Sequence, residues 1–257
     1  MHLSVSYDRP HQDDPASGPV RVGWLLEEPK AGIVFDPPER VQSVEMNKRH
    51  AKSASRCPAV INLESRYFVI KCPFDLHLRF VRDKNGKPWL RNMFRDASPV
   101  RSKVLYEHLH IVPEAEWRYP DRPTFQLTLP YIFIADDPIY MSQVAPFMHY
   151  RKDALPGTIL GGRFPIDIWP RPLMWVFEWH ESDKEIQLAR GEPLFYVLFE
   201  TTPQDRAVQV VEATRTPELN EYLDLISGAV RYVNQTFSLF KAAEERRPKT
   251  LLTPKKK

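Results

Sequence analysis

Proline constrains this chain more than any other residue type. The 257 residues include 25 prolines and only 9 glycines, about twice and half the usual shares of roughly 5% and 7%. Proline fixes φ and lacks an N–H, so helix interiors reject it while strand ends, sheet edges and turns accept it. Such a chain is built mostly of strands and ordered loops. The pattern is densest in LPGTILGGRFPIDIWPRPLMWVFEWHESDKEIQLARGEPLFYVLFET, Leu155 to Thr201, where Trp169, Trp175 and Trp179 stand between prolines and apolar runs. Rings of this size bury large areas, so this block predicts the centre of a β-rich core.

Strand-like runs recur at spacings of about 8–12 residues, the rhythm of a sandwich or barrel. They cover Val20–Leu26, Gly32–Phe35, Asp75–Arg82, Lys87–Asn92, Thr124–Ala135 (interrupted at Pro130) and Ile139–Phe147. The aromatic block adds Thr158–Leu160, Phe164–Trp169, Leu173–Trp179, Glu185–Leu188 and Leu194–Glu200, and Ala207–Ala213 follows. Asn85-Gly86 is the best hairpin turn, because Asn-Gly supplies positive φ at little cost. Ala59–Leu63 and Tyr67–Cys72 read as a second hairpin around Glu64-Ser65, a register that sets Cys57 opposite Cys72. That spacing allows a disulfide or thiol pair, although two buried free thiols fit as well. Glu39–Ser55 reads as a loop or a short surface helix.

Past residue 214 the periodicity changes. Thr216 and Pro217 suit the N-cap and first position of a helix. Leu219, Tyr222, Leu223 and Ile226, then Val230, Val233, Phe237 and Phe240, follow at helical steps, with Gly228 as a kink or break between them. The expected fold is mainly β: an antiparallel β-sandwich, jelly-roll-like, with a double-stranded β-helix as a variant and a C-terminal helical arm. The expected divisions are a flexible arm at 1–19, a β-sandwich domain at 20–214, the helical arm at 215–247 and a basic tail at 248–257.

A chain of this length buries a core without disulfides or metals, and 42% hydrophobic residues exclude wholesale disorder. The net charge of +3 is uneven: residues 231–257 carry +6 and the rest −3. The tail therefore reads either as a solvated end or, through Lys249 to Lys257, as a contact for nucleic acid. No basic stretch leads into an apolar segment at the start, and no apolar run reaches about 18 residues. These features predict a cytoplasmic protein, bacterial or of a phage-infected host, without membrane insertion.

The segments Arg56-Cys57-Pro58, Cys72-Pro73, Trp175-Val176-Phe177-Glu178-Trp179 and Arg190-Gly191-Glu192-Pro193-Leu194-Phe195 resemble a family of bacterial and viral β-rich proteins. The resemblance covers about residues 55–201. No activity is assigned to that family, so it implies a fold and no catalytic residue.

The chain lacks a P-loop, a dinucleotide-binding glycine pattern, a nucleophile elbow, a zinc-protease helix and any Cys-x-x-Cys. Two groups remain. Glu178 and His180 share one face of a strand and can chelate iron or another divalent metal, with His149 or His77 as a third ligand, as in cupin-like non-haem iron oxygenases. The same pair also reads as a solvated strand end. Arg163, Asp167, Trp169 and Arg171, near Asp136-Asp137, suit stacking and anion recognition, or ion pairs lacing a sheet edge. Gly161-Gly162 beside Arg163 fits an anion cradle or a bulge. His108 and His110 alternate with Leu109 near Glu114. The leading expectation is a non-catalytic binding or assembly protein, homo-oligomeric or partnered through its aromatic sheet or helix. A metal-dependent enzyme and a nucleic-acid accessory factor are the alternatives.

Overall fold

The computed structural model describes residues 18–27, 33–42, 56–202, 206–229 and 236–256. The mainly β architecture expected from the proline pattern is present: fifteen strands in four sheets, four α-helices and no closed barrel among the described residues. In chain order the elements are β1 (Val20–Leu26), β2 (Glu39–Arg40), α1 (Pro58–Glu64), β3 (Tyr67–Lys71), β4 (Leu76–Arg82) and β5 (Pro88–Asn92). Then come α2 (Ser102–His108), β6 (Leu109–Ile111), β7 (Thr124–Leu129), β8 (Tyr131–Ala135), β9 (Tyr140–Val144), β10 (Gly157–Ile159) and β11 (Arg163–Pro165). The rest are β12 (Leu173–Trp179), β13 (Ile186–Leu188), β14 (Pro193–Glu200), β15 (Val208–Glu212), α3 (Pro217–Ala229) and α4 (Thr236–Arg246).

The sheets run β15-β1-β8, β10-β12-β7-β6, β11-β9-β14-β3-β2 and β13-β4-β5. Every pairing is antiparallel except β1 with β15. Pro130 accounts for a change of sheet: β7 lies in the four-stranded sheet, whereas β8, one residue later, pairs with β1. Without an N–H at that point the ladder stops, and the chain crosses from one layer to the other.

Inward side chains of all four sheets meet in one apolar cluster. Trp175, Phe177 and Trp179 of β12 surround Phe125 of β7 with ring centroids 5.4–5.8 Å apart in tilted or edge-on geometry. Phe133 meets Phe199 at 5.3 Å, joining β8 to β14. Each such pair adds about 0.5–1.5 kcal/mol beyond the area it buries. β8 reads YIFIA and is buried on both faces, since Tyr131, Phe133 and Ala135 enter this core while Ile132 and Ile134 enter a second one.

That second cluster is capped by the helices. Thr216 Oγ1 accepts the Leu219 N–H at 3.2 Å, which is the N-cap its sequence predicts. Leu219, Tyr222 and Ile226 of α3 and Leu239 and Ala243 of α4 cover Leu25, Ile132, Ile134 and Trp169. The Tyr222 hydroxyl lies 2.8 Å from the Ile168 carbonyl, and burial pushes its pKa up to about 12. α3 runs through Gly228 without a break, and residues 230–235 lie outside those described.

Several expectations change. Residues 58–64 form a helix rather than a hairpin strand, and β3 pairs with β14 and β2 instead. Cys57 is consequently exposed and Cys72 buried, and the two are free thiols. Burial pushes the Cys72 thiol up to about 12, so it is an inert core group. Residues 33–35 form no strand, and the run from Phe164 stops at Pro165. His108 ends α2 rather than lying in a strand with His110. Of the expected segment at 39–55, Glu39–Arg40 is a short strand and 43–55 lie outside the described residues, as do 1–17 of the N-terminal arm.

The basic tail is not a loose end. Leu251 and Leu252 are buried in the helical cluster, and Asp136 Oδ1 accepts both of their N–H groups at 2.6 and 3.3 Å. The Thr214 N–H donates to Thr253 O, the Lys255 N–H donates to Glu212 O, and Lys255 Nζ pairs with Glu212 at 2.6 Å. No helix is long and apolar enough to cross a membrane among the described residues.

Candidate functional site

The four-stranded sheet places the chemistry. Its inner face carries Leu173, Trp175, Phe177 and Trp179 from β12 and Phe125, Leu127 and Leu129 from β7. Alternation therefore turns Met174, Val176 and Glu178 outward beside their partners Thr128, Gln126 and Thr124. His110 joins this outer face opposite Gln126, and Thr158 opposite Glu178.

Glu178 is the anomaly of that face: an outward carboxylate only 2% exposed. The segment 117–123 covers it, held by the Trp179 N–H donating to Pro123 O at 2.8 Å and by an Arg122 N–H to Tyr119 O turn. That segment brings Arg118 Nη1 to 3.8 Å from Glu178 Oε2 and Arg122 Nη1 to 3.7 Å from Oε1. Both distances are ion-pair contacts beyond hydrogen-bond length. The Arg122 guanidinium stacks over Tyr119 at 4.1 Å. His180 Nε2 lies 2.9 Å from Glu178 Oε1. Glu178 Oε2 and the Thr124 hydroxyl facing it are buried and have no hydrogen-bond partner. Unpartnered buried polar atoms are expensive, and two of them sit side by side here.

Two guanidiniums and one carboxylate leave this cluster net positive, and its imidazole, 40% exposed, opens to solvent. It can bind an oxyanion. It is less suited to a metal: His149 does not join Glu178 and His180, and among the described residues no three His, Cys, Asp or Glu side chains converge. His77 is instead bonded to Glu185 and lies 3.1 Å from Gln187 Nε2.

The second predicted group is dispersed. Arg163 forks onto Glu200, with Nη2 to Oε2 at 2.9 Å, and stacks on Tyr140 at 3.8 Å. Hydrogen bonds from Arg163 and Ser142 hold Glu200 below the usual carboxylate range. Trp169 is buried against Phe240 beneath the helices. Asp167 gives its backbone carbonyl to Arg247 at 2.6 Å, and burial raises its carboxyl pKa. Asp136 holds the C-terminal segment, and Asp137 pairs with Arg206 at 3.3 Å. Arg171 alone stays beside the outer face of the four-stranded sheet, lining a cavity with Met174 and Val176.

The two-residue spacing marks Glu178 and His180, expected as metal ligands, and leaves out Arg118, Arg122 and Thr124, which lie beside them here. The available signal was the turn-rich Arg118-Tyr119-Pro120-Asp121-Arg122-Pro123 directly ahead of an apolar strand. Comparison of the chain with protein-family models, curated proteins and solved structures gives no match.

Proposed function

We propose that this chain is a non-catalytic binding protein that takes an oxyanion-bearing ligand, phosphate- or carboxylate-type, at Arg118 and Arg122. The observation that carries this reading is the buried Glu178 carboxylate. It gathers two guanidiniums and an imidazole around one point, yet hydrogen-bonds only the imidazole. Each arginine keeps free N–H donors in a planar fork suited to phosphate or carboxylate. Tyr119 gives Arg122 a flat support that limits its rotamers.

The metal-enzyme alternative keeps Glu178 and His180 and lacks a third ligand among the described residues. Nucleic-acid binding through the tail is weakened by the commitment of Lys255 to Glu212. The oxyanion reading is tested by calorimetric titration with pyrophosphate. Saturable binding is expected with a Kd below about 1 mM, weakening as salt rises. Arg118→Gln/Arg122→Gln should weaken it at least about tenfold, given what charge-assisted hydrogen bonds contribute. No saturation up to about 10 mM, or equal affinity in the double variant, would overturn the reading.

A further inference from the structure

The cavity beside Arg171 differs from two others in the state of its cation. In the 820 Å³ groove near Tyr140, Arg163 is bonded to Glu200 and Arg66 to Asn62. In the 390 Å³ cavity near His77, Arg151 is bonded to Glu192 and to the Gln187 carbonyl. Arg171 has no carboxylate beside it among the described residues: its contact is Met174 Sδ at 3.9 Å, a weak acceptor. Its side chain is exposed by area, yet protein crowds the charged end, and that desolvation pulls the guanidinium below its ordinary pKa. An unpaired, partly desolvated cation gains from any anion that reaches it.

The walls around it are preformed. Leu160 N–H donates to Val176 O at 3.0 Å, and Gln143 N–H donates to Gly162 O at 2.8 Å, tying the 160–162 turn to both β12 and β9. Gly161 permits this approach, since a Cβ there would stand 2.2 Å from the Gln143 carbonyl. The Gln143 side chain is itself fixed, donating to Met174 O at 3.1 Å. The resulting cavity of about 300 Å³ has Leu160, Phe164, Met174 and Val176 on its apolar side and Arg171 and Gln126 at its polar edge. That volume is at the low end of small-molecule sites, which pair an apolar lining with a few orienting polar groups.

We propose that this cavity is a binding site for a small monocarboxylate with an apolar body, its carboxylate on Arg171 and its hydrocarbon against Leu160, Phe164, Met174 and Val176. The site shares no residue with the Glu178 cluster, although Val176 and Glu178 are only about 7 Å apart along the strand. It stands or falls independently of the oxyanion reading.

Calorimetric titration of the full chain with hexanoate and benzoate, and with hexanol as a neutral control, tests it. Saturable binding of at least one carboxylate is expected, with hexanol at least about tenfold weaker. Arg171→Gln should weaken the carboxylate at least about tenfold, and Val176→Phe should abolish binding by filling the cavity. Both variants should keep the wild-type circular-dichroism spectrum and a cooperative urea transition, which verifies that they are folded. Three results would each overturn the proposal: no saturation by either carboxylate up to about 10 mM, hexanol binding as tightly as hexanoate, or an unchanged affinity in Arg171→Gln.

Discussion

Truncation after Lys249 lowers the unfolding free energy by at least about 4 kcal/mol in urea titration, since deleting even one buried leucine costs about 2–5 kcal/mol. Two such side chains are lost, Leu251 at 1% and Leu252 at 8% exposure. Leu252 lies over Gly23, where its Cδ1 is 2.3 Å from the position a Cβ would take. Its removal uncovers Ile134 and Ala213, which line the same spot. The cut also strips Asp136 of the Leu251 and Leu252 N–H donors, charge-assisted bonds of about 1.5–3 kcal/mol each. These losses share neighbours and do not add fully, so the expected loss is set well below their sum. A solvated tail would leave the midpoint unchanged, and that outcome would contradict the packing described for it.

Replacing Trp175 separates two opposing terms. Trp175→Ala empties the centre of the ring cluster, where the side chain is fully buried against Phe125 and Phe177. A loss of about 3–5 kcal/mol is expected, the usual range for buried aromatics. Trp175→Phe also leaves a void, but it deletes an indole N–H that is buried without a hydrogen-bond partner. Relieving that unmet donor returns about 1–3 kcal/mol, which offsets most of the lost packing. The Phe variant should therefore unfold within about 1 kcal/mol of the wild type. If Phe costs as much as Ala, the indole N–H makes a stabilising bond and the reading of this core position is wrong.

Legibility followed the reach of each signal. β12 was readable from residue to residue because Leu173, Trp175, Phe177 and Trp179 alternate with outward positions. The β4–β5 hairpin was readable because Asn85-Gly86 marks its turn, and Gly86 has φ +78° there. Pro130 showed that a strand breaks, but not that its halves enter different sheets. Ala59–Leu63 misled because Val60 and Ile61 favour strands in general, and strand propensity yields to context. There Pro58 starts a helix and Ser65 closes it, with the Ser65 hydroxyl donating to Asn62 O. The tail misled through its lysines, while the informative residues were Leu251 and Leu252.

The site divides the same way. Glu178 and His180 fall on one face by the two-residue period, a local fact that sequence carries. Their meeting with Arg118 and Arg122 depends on β7 lying next to β12, a neighbour relation that no spacing along the chain encodes. His149 shared only its residue type with the proposed metal set. Arg163, Asp167, Trp169 and Arg171 are close in sequence, yet the turn after Pro165 and the change of face send them to different surroundings.

The central claim is that Glu178 is kept for the ligand rather than for the fold, and Glu178→Met tests it most directly. Methionine keeps the volume and removes a buried charge with an unpartnered oxygen, while Arg118 and Arg122, 58% and 36% exposed, stay solvated. Replacing buried ionic groups with apolar ones of similar size is often neutral or stabilising. The variant should therefore match the wild type in urea unfolding or exceed it by up to about 2 kcal/mol, while its pyrophosphate binding falls at least about tenfold. A loss of about 2 kcal/mol or more with binding intact would contradict the account, making Glu178 a structural anchor for the 117–123 segment.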